Sequence, residues 1–416
     1  MNTKRFVLVC ILLSLILTEK SFSCTILYYA KDEIILAGNN EDWKDPATKM
    51  WIYPPETGKH GWIKFGFGSG FPQGGMNDQG VFWDATAGPH MDMPYSESNK
   101  TLYSGALMQK VIEESSNIGE AAAILQAFYC QDQYKAQYLI GDALGYSIIS
   151  EGDSIIQNHQ SYQVLTNFYQ SNPDLGGYPC WRYDKAMELL KDCDKLTPYF
   201  IGSVLASTHQ EGKYPTQYSN IYDLQNRTIY LFFYHNYDEF LFIDLQKEME
   251  KGYKSYDIPS IFSKIELLVP DNGDIIAGHS VTISWNGLPD SDYRIIYSTN
   301  PDMSDSMSVE AHHMARYQTN YSTSLHIIPL IIFTLLILLK RNRAGLILVI
   351  LSVALMSIHC ENEESPEDNE NTVEHTAILT DLESNTTYYW KIEAKNSNSD
   401  HFTTETTIQS FMTEDR

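Results

Sequence analysis

The segment 1–23, which ends immediately before Cys24, is the feature that most constrains this chain. Two basic residues precede an almost unbroken apolar run at 6–17, and Ser21 and Ser23 stand at −3 and −1 from Cys24. A basic start, a short apolar run and small residues before a cleavage point are typical of a secretory signal peptide. We therefore predict that 1–23 is removed, that the protein is exported, and that the folded chain begins at Cys24.

A cysteine directly after a leader has two interpretations. In the first, Cys24 is lipidated, although a lipoprotein signal usually has Leu at −3 and Gly or Ala at −1, where this chain has Ser21 and Ser23. In the second, Cys24 carries a free α-amine. The residues that follow it bear on the choice.

Those residues predict a hairpin. Residues 24–29 alternate as a buried strand does, Asp32 and Glu33 form a turn, and a second strand over 34–37 leads into the polar segment 38–43. The hairpin returns the carboxylate of that polar segment to the start of the chain. An α-amine titrates near pH 8, so it can take the proton of a thiol on the same residue. The alternative is a buried cysteine beside an ordinary turn.

This start, Cys24-Thr followed by a strand turn ending Gly-Asn-Asn-Glu-Asp-Trp, resembles the N-terminal-nucleophile (Ntn) cysteine hydrolases of the choloylglycine hydrolase and penicillin V acylase group. It also resembles the related acid ceramidase-like enzymes, which together hydrolyse linear amide C–N bonds. These carry a Gly-Arg-Asn-x-Asp motif after the second strand. The resemblance implies that Cys24 is the nucleophile and that Asp42 is the motif aspartate. Asn39 stands where many members have arginine, which leaves the local charge and the substrate preference open.

Later segments extend the resemblance, which covers about residues 24–250. The run from Gly74 to Val81 resembles the turn before a core strand, and this assigns Asn77 and Trp83, together with Asn39, to substrate binding or structural support. Asn167 resembles the asparagine that donates to the oxyanion, and Arg182 follows it at the spacing of acid ceramidase-like members. Taken alone, these two residues could equally be a turn cap and a surface ion pair.

Strands mixed with helical patterns at 107–128, 185–190 and 245–251 predict an α+β class for residues 24–258. The resemblance implies a four-layer αββα arrangement, with two antiparallel sheets between helices. Residues 259–416 predict a second domain, because short alternating strands separated by turn residues are typical of a β-sandwich. This part resembles a fibronectin type III module.

An insertion at 325–359 interrupts that sandwich. It contains two apolar runs joined by a basic connector, and an acidic segment at 361–372 that we expect to be disordered follows it. Each run is shorter than the roughly 20 residues that span a bilayer comfortably. A pair of packed helices inside a small sandwich is the alternative. We predict a membrane hairpin whose basic connector faces the cytoplasm, which leaves the catalytic domain on the extracytoplasmic side.

Composition excludes several classes of function. The formal net charge of −24 argues against a nucleic-acid partner, because Lys and Arg must neutralise phosphates. The six cysteines show no paired metal-ligand spacing, so we expect no metal and no cofactor. A Cys180–Cys193 disulfide stays open, since spacing alone does not establish one.

The sequence therefore predicts an exported, membrane-associated cysteine amidase acting on a small N-acyl amide, such as penicillin V, a conjugated bile acid or an N-acyl amino acid. The first alternative is an acyltransferase that uses the same thioester. The second is a non-catalytic, lipid-anchored surface protein whose sandwich binds a partner.

Overall fold

The computed structural model describes residues 24–88, 100–311, 372–396 and 403–414. The predicted signal peptide, the insertion at 325–359 and all but the last residue of the acidic segment lie outside the described residues. Within them, strands dominate and helices are few, which confirms a mixed α+β class.

Two large sheets form the amino-terminal part. Sheet I has the order β12-β1-β2-β15-β16-β17, and sheet II has the order β11-β10-β9-β6-β5-β4-β3-β18. The strands of sheet I are β1 (Thr25–Lys31), β2 (Ile34–Asp42), β12 (Tyr162–Leu165), β15 (Thr216–Asp223), β16 (Thr228–Phe233) and β17 (Glu239–Asp244). The strands of sheet II are β3 (Thr48–Tyr53), β4 (Trp62–Phe67), β5 (Pro72–Asn77), β6 (Phe82–Ala87), β9 (Ala136–Gly141), β10 (Ser147–Glu151), β11 (Ser154–Gln157) and β18 (Lys254–Asp257). Two small pairs lie outside both sheets, β7 (Thr101–Leu102) with β8 (Phe128–Tyr129) and β13 (Phe168–Tyr169) with β14 (Asn172–Gly176).

The β1–β2 hairpin is closed by a two-residue turn. Asp32 and Glu33 both have positive φ, 50° and 65°, as a type I′ turn requires. This turn matches the twist of the flanking strands and fixes their register, in which Thr25 faces Asn40 and Ile26 faces Asn39.

Helices cover the outer face of each sheet: α1 (Leu107–Glu114) and α2 (Ile118–Ala127) on sheet II, and α3 (Trp181–Lys191) and α4 (Pro198–Ala206) on sheet I. The short helix α5 (Leu245–Glu250) instead packs Leu245 and Met249 into the core between the two sheets. One apolar core lies between the two sheets, a second joins α1 and α2 to sheet II, and a third joins α3 and α4 to sheet I. The layers therefore follow the order helix, sheet, sheet, helix.

The helices differ from the sequence prediction in detail. The single pattern at 107–128 forms two helices, because Asn117 caps the second one by accepting a hydrogen bond from the backbone N–H of Glu120. The helix predicted at 185–190 begins earlier, at Trp181, and the one at 245–251 is confirmed as α5. Helix α4 was not predicted; Thr197 caps it and Pro198 starts it.

The carboxy-terminal strands form two layers over one core, a separate three-stranded sheet and a group of strands that continues sheet I. They are β19 (Glu266–Val269), β21 (Val281–Gly287) and β24 (Val373–Leu379) on one side, and β20 (Asp274–Ala277), β22 (Ser291–Ser298), β23 (Met307–Glu310), β25 (Thr387–Asn396), β26 (Thr404–Thr406) and β27 (Gln409–Glu414) on the other. Trp285 and Trp390, both fully buried, lie in the core between them. The sandwich patterning of the sequence therefore corresponds to packed sheets, whereas the fibronectin type III resemblance stays a prediction.

The two parts share one continuous sheet. Strand β26 pairs antiparallel with β17, the last strand of sheet I in the amino-terminal part, so that Phe240 faces Glu405. Among the described residues no helix is both long enough and apolar enough to cross a membrane.

Glu239 connects the two parts at this junction. Its buried carboxylate accepts hydrogen bonds from the backbone N–H groups of Ser263 and Ile265, each at 2.8 Å, and from the hydroxyl of Thr404. One side chain thus satisfies donors from the connecting segment and from β26.

Replacing Glu239 with Ala should destabilise the protein by about 3 kcal/mol or more, because it leaves three buried donors without an acceptor. Urea unfolding checks this value, with Glu266→Ala as the control, since Glu266 is exposed and accepts one hydrogen bond, from Asn286. Equal stability of the two variants would contradict a connecting role for Glu239.

Candidate active site

The register of the first hairpin places Cys24 beside Glu41. Thr25 faces Asn40, so one further step along the antiparallel pair brings Cys24 opposite Glu41, on the same face of sheet I. The thiol donates a hydrogen bond to Oε1 of Glu41 at 3.6 Å. This face points into the core between the two sheets, where Ile26 and Tyr28 continue the row from Cys24.

A cavity of about 890 Å³ opens onto this pair. Cys24, Glu41 and Asp42 line it on the sheet I side, although only 5% of Cys24 is exposed. Aromatic and apolar side chains make up much of the remaining wall, among them Phe67, Phe71, Trp83, Leu107, Met108 and Tyr138. A mostly apolar cavity with a few polar groups at one place is typical of a small-molecule site.

Burial dominates the electrostatics of the Cys24–Glu41 pair. It raises the pKa of the Cys24 thiol, and the charges of Glu41 and Asp42 add to the increase, while a hydrogen bond with the backbone of Asp42 opposes it. Burial, together with the charge of Asp42, also raises the pKa of Glu41, to about 8. Both groups therefore resist ionisation at neutral pH, and the loss of a proton from one makes ionisation of the other still less favourable.

Asp42 lies on the opposite face of β2, toward the helices that cover sheet I. Its carboxylate accepts a hydrogen bond from Oγ1 of Thr216 at 2.5 Å and another from Nε2 of Gln210 at 2.8 Å. Burial raises its pKa to about 7, against the opposing effect of Arg182, whose Nη1 lies 3.6 Å away. The sequence predicted that Asp42 lies near Cys24. The two residues are close, but the Asp42 carboxylate and the Cys24 thiol lie on opposite faces of sheet I.

Arg182, on the first turn of α3, contacts the other three predicted catalytic residues, Cys24, Asp42 and Asn167. Nη1 donates to the carbonyl oxygen of Cys24 at 2.8 Å and to Oγ1 of Thr25 at 3.0 Å, and Nη2 donates to Oδ1 of Asn167 at 2.9 Å. The guanidinium therefore holds the backbone of the first residue, and its charge balances Asp42 on the helix side of sheet I.

Asn167 lies two residues after the end of β12, and its side-chain N–H groups make two hydrogen bonds. Its Nδ2 donates to Oγ1 of Thr86 and to the carbonyl oxygen of Ala87, each at 2.8 Å. Thr86 and Ala87 line the cavity, so Asn167 reaches the wall of the site. Donation to an oxyanion would require Asn167 to release one of these two acceptors.

The three residues predicted for binding or support occupy different places. Trp83 lines the cavity and packs edge-on against Tyr138. Asn77 closes a turn, since its Oδ1 accepts from the N–H groups of Gln79 and Val81 and its Nδ2 donates to two carbonyl groups at the end of α1. Asn39 is fully buried on the same face as Glu41 and does not line the cavity.

Sequence reasoning missed Glu41 and Asp84. Asp84 projects from β6 of sheet II toward the same inter-sheet space, and its pKa is raised by burial and by the charge of Glu41. Gly74 faces it on β5, where an added Cβ would stand 2.1 Å from Oδ2 of Asp84. The hairpin turn alone could have identified Glu41, because the turn sets the pairing partner of Cys24.

The described residues contain no group of three His, Cys, Asp or Glu side chains arranged to hold a metal ion. The four cysteines of the described chain, which include Cys180 and Cys193, are free thiols.

Comparison with known proteins found similar solved structures. Penicillin V acylase from Agrobacterium tumefaciens aligns at 17% identity and a TM-score of 0.47, covering 56% of this chain and 91% of that one. Two variants of conjugated bile acid hydrolase from Clostridium perfringens align at 16% and 17% identity with TM-scores of 0.44 and 0.43. These two alignments cover 56% of this chain and 97% and 96% of the hydrolase chains. No family model matches the chain, and no curated protein matches it.

Stability should fall as the pH rises through the pKa values of Glu41 and Asp42. Both pKa values in the folded protein, about 8 and about 7, lie above those of the unfolded chain, so the folded state binds protons more tightly. The resulting stabilisation is complete below the unfolded values and is lost as the carboxyls ionise in the folded protein. We expect the free energy of unfolding to drop by about 2 kcal/mol or more between about pH 6 and pH 9.

Urea unfolding at constant ionic strength measures this drop. Glu41→Gln, which cannot ionise, should lose much of the pH dependence, whereas Glu114→Gln on the surface of α1 should keep it. A Glu41→Gln variant with the same drop as the wild type would show that the proton is held elsewhere.

Proposed function

We propose that the chain is a cysteine amidase of the Ntn type, which hydrolyses a linear amide through an acyl-thioester on Cys24. One observation carries the proposal: the cysteine that follows the predicted leader lines a largely apolar cavity while Arg182 holds its backbone carbonyl. A structural cysteine would need neither the cavity nor the guanidinium.

The reaction would follow the chemistry of a thiol nucleophile. Sγ of Cys24 attacks the amide carbonyl, the amine departs, and water then hydrolyses the thioester. The expected base is the α-amine that removal of 1–23 would create, and Asp42 and Arg182 would hold the first residue in place. Asn167 would stabilise the oxyanion after exchanging one of its present acceptors.

The wall of the cavity favours an apolar acyl group. Phe67, Trp83 and Met108 offer aromatic and thioether surface, which suits the phenoxyacetyl group of penicillin V, a steroid or a fatty acyl chain. The substrate would therefore be an N-acyl amide whose acid half is buried and whose amine half leaves from the mouth of the site.

The remaining parts would place this activity outside the cell. Cleavage before Cys24 would export residues 24–258 as the catalytic domain, and residues 259–416 would form a fibronectin type III-like module beside it. The two apolar runs of 325–359 would anchor the protein to the membrane, with the catalytic domain on the extracytoplasmic side.

Replacing Cys24 with Ala should lower turnover of an N-acyl amide such as penicillin V by at least about 10³-fold, because the variant has no nucleophile. The matched control is Cys130→Ala, since Cys130 is a buried cysteine that lines the same cavity. It should keep most of the activity. Release of the free amine measures turnover.

The intact mass of the purified, exported protein completes this test. A mature chain that begins at Cys24, and gains the mass of the acyl group during turnover, supports the proposal. A diacylated Cys24, or full activity in Cys24→Ala, contradicts it. Adding amine acceptors shows whether the thioester goes to water or to a second amine, as in an acyltransferase.

A further inference from the structure

The proposed function gives the thiol proton to the α-amine, and the structure offers a second acceptor. Oε1 of Glu41 already receives the hydrogen bond of the Cys24 thiol, at 3.6 Å between sulfur and oxygen. Glu41 is buried, yet it also lines the cavity beside Cys24. The contact follows from the hairpin register, which makes the two residues direct cross-strand neighbours.

We propose that Glu41 is a catalytic residue that accepts the thiol proton of Cys24 and returns it to the departing amine. This inference rests on the proposed amidase function and adds a residue to it. In the first step the S–H bond breaks, Oε1 gains the proton and the sulfur–carbon bond forms. As the C–N bond breaks, the nitrogen takes the proton from Glu41 and leaves as a neutral amine.

The groups around Glu41 suit this task. Four acids interact electrostatically with it: Cys24 just before β1, Asp42 on β2, Asp84 on β6 and Tyr218 on β15, whose pKa is raised by the charge of Glu41. Tyr222, also on β15, is affected in the same way. Burial and the charge of Asp42 oppose ionisation of Glu41, whereas the hydrogen bond from the Cys24 thiol favours it and lowers its pKa in part. The carboxyl group thus binds a proton far more strongly than an exposed glutamate does, which brings it closer to the thiol whose proton it must take.

A pH profile of the wild type would not separate Glu41 from the α-amine. The pKa of Glu41 is raised to about 8 and an α-amine titrates at about 7.7–8.0, so either base gives a rise in reactivity near the same pH. Substitution of Glu41 separates the two hypotheses, because it slows the reaction of Cys24 if Glu41 is the base and does not if the α-amine is. If Glu41 acts only through its charge, then removing that charge favours the thiolate and speeds the reaction of Cys24.

The experiment is therefore alkylation of Cys24 by iodoacetamide, followed by intact mass from about pH 6 to pH 10. Glu41→Gln should react at least about 10-fold more slowly than the wild type near pH 8, because its thiol has lost the acceptor. The matched control is Asp84→Asn, which removes a buried carboxylate that also raises the pKa of Cys24 but does not accept its hydrogen bond. It should react as fast as the wild type or faster.

A Glu41→Gln protein that reacts as fast as the wild type, or faster, overturns the proposal and leaves the proton to the α-amine. If circular dichroism shows that Glu41→Gln does not fold, Glu41→Asp takes its place, since a carboxylate one methylene shorter recedes from the sulfur and should also slow alkylation. An alkylation rate in Glu41→Asp equal to that of the wild type is then the contradicting result.

Alkylation needs no amide substrate, so this result is independent of the proposed function. Slower alkylation in Glu41→Gln with no amide turnover in the wild type would refute the amidase and keep the Cys24–Glu41 pair. Amide turnover by the wild type, with unchanged alkylation in Glu41→Gln, would support the amidase and refute the role of Glu41. Where both hold, kcat should fall by about 10²-fold in Glu41→Gln with little change in KM.

Discussion

The pairing of β1 with β2 is the constraint on which the site depends. A two-residue turn with both φ angles positive fixes which residues face each other, and the alternation of strand side chains then divides them between two faces. Cys24 and Glu41 fall on the face between the sheets, and Asp42 falls on the face toward the helices. A slip of one residue would exchange the two sets, so the turn at Asp32 and Glu33 determines the chemistry that Cys24 meets.

The two faces of sheet I carry different parts of the candidate site. On the helix side, Arg182 joins the first residue to Asp42 and to Asn167, and this cation offsets the burial of the carboxylate. One guanidinium thus makes charge-assisted hydrogen bonds to the start of the chain and to Asn167 and lies beside the carboxylate of Asp42. On the inter-sheet side the groups are acids with raised pKa values, and a cavity reaches them. The helix side thus fixes the position of the first residue through Arg182, and the inter-sheet side holds the thiol and the carboxyl group that the cavity reaches.

Local patterns made a large part of this fold predictable. The hairpins β1–β2, β9–β10 and β15–β16 follow from alternation and turn residues, because each pairs segments that are adjacent in the chain. Helix α4 escaped prediction since its residues are apolar without a clear period, and a Thr cap with a following Pro was its only signal. The β17–β26 pairing could not be predicted, because it joins segments more than 150 residues apart that carry no shared local signal.

Sequence reasoning found four residues of the candidate site and missed a fifth, Glu41. Cys24, Asp42, Asn167 and Arg182 were singled out by sequence, and the structure brings them together through Arg182. Glu41 was missed because the sequence analysis considered only that the hairpin returns the polar segment to the start of the chain. Which residue of that segment faces the Cys24 side chain depends on the strand register and on the alternation of side chains between the two faces. Asn39 matters for the same reason. It lies two residues before Glu41 on the same face, so a cation at that position would favour the ionised carboxylate, and a neutral amide leaves the pKa of Glu41 raised by burial. An asparagine at position 39 therefore leaves the pKa of Glu41 raised, so that in the proposed reaction the carboxyl group can hold the proton that it takes from the thiol.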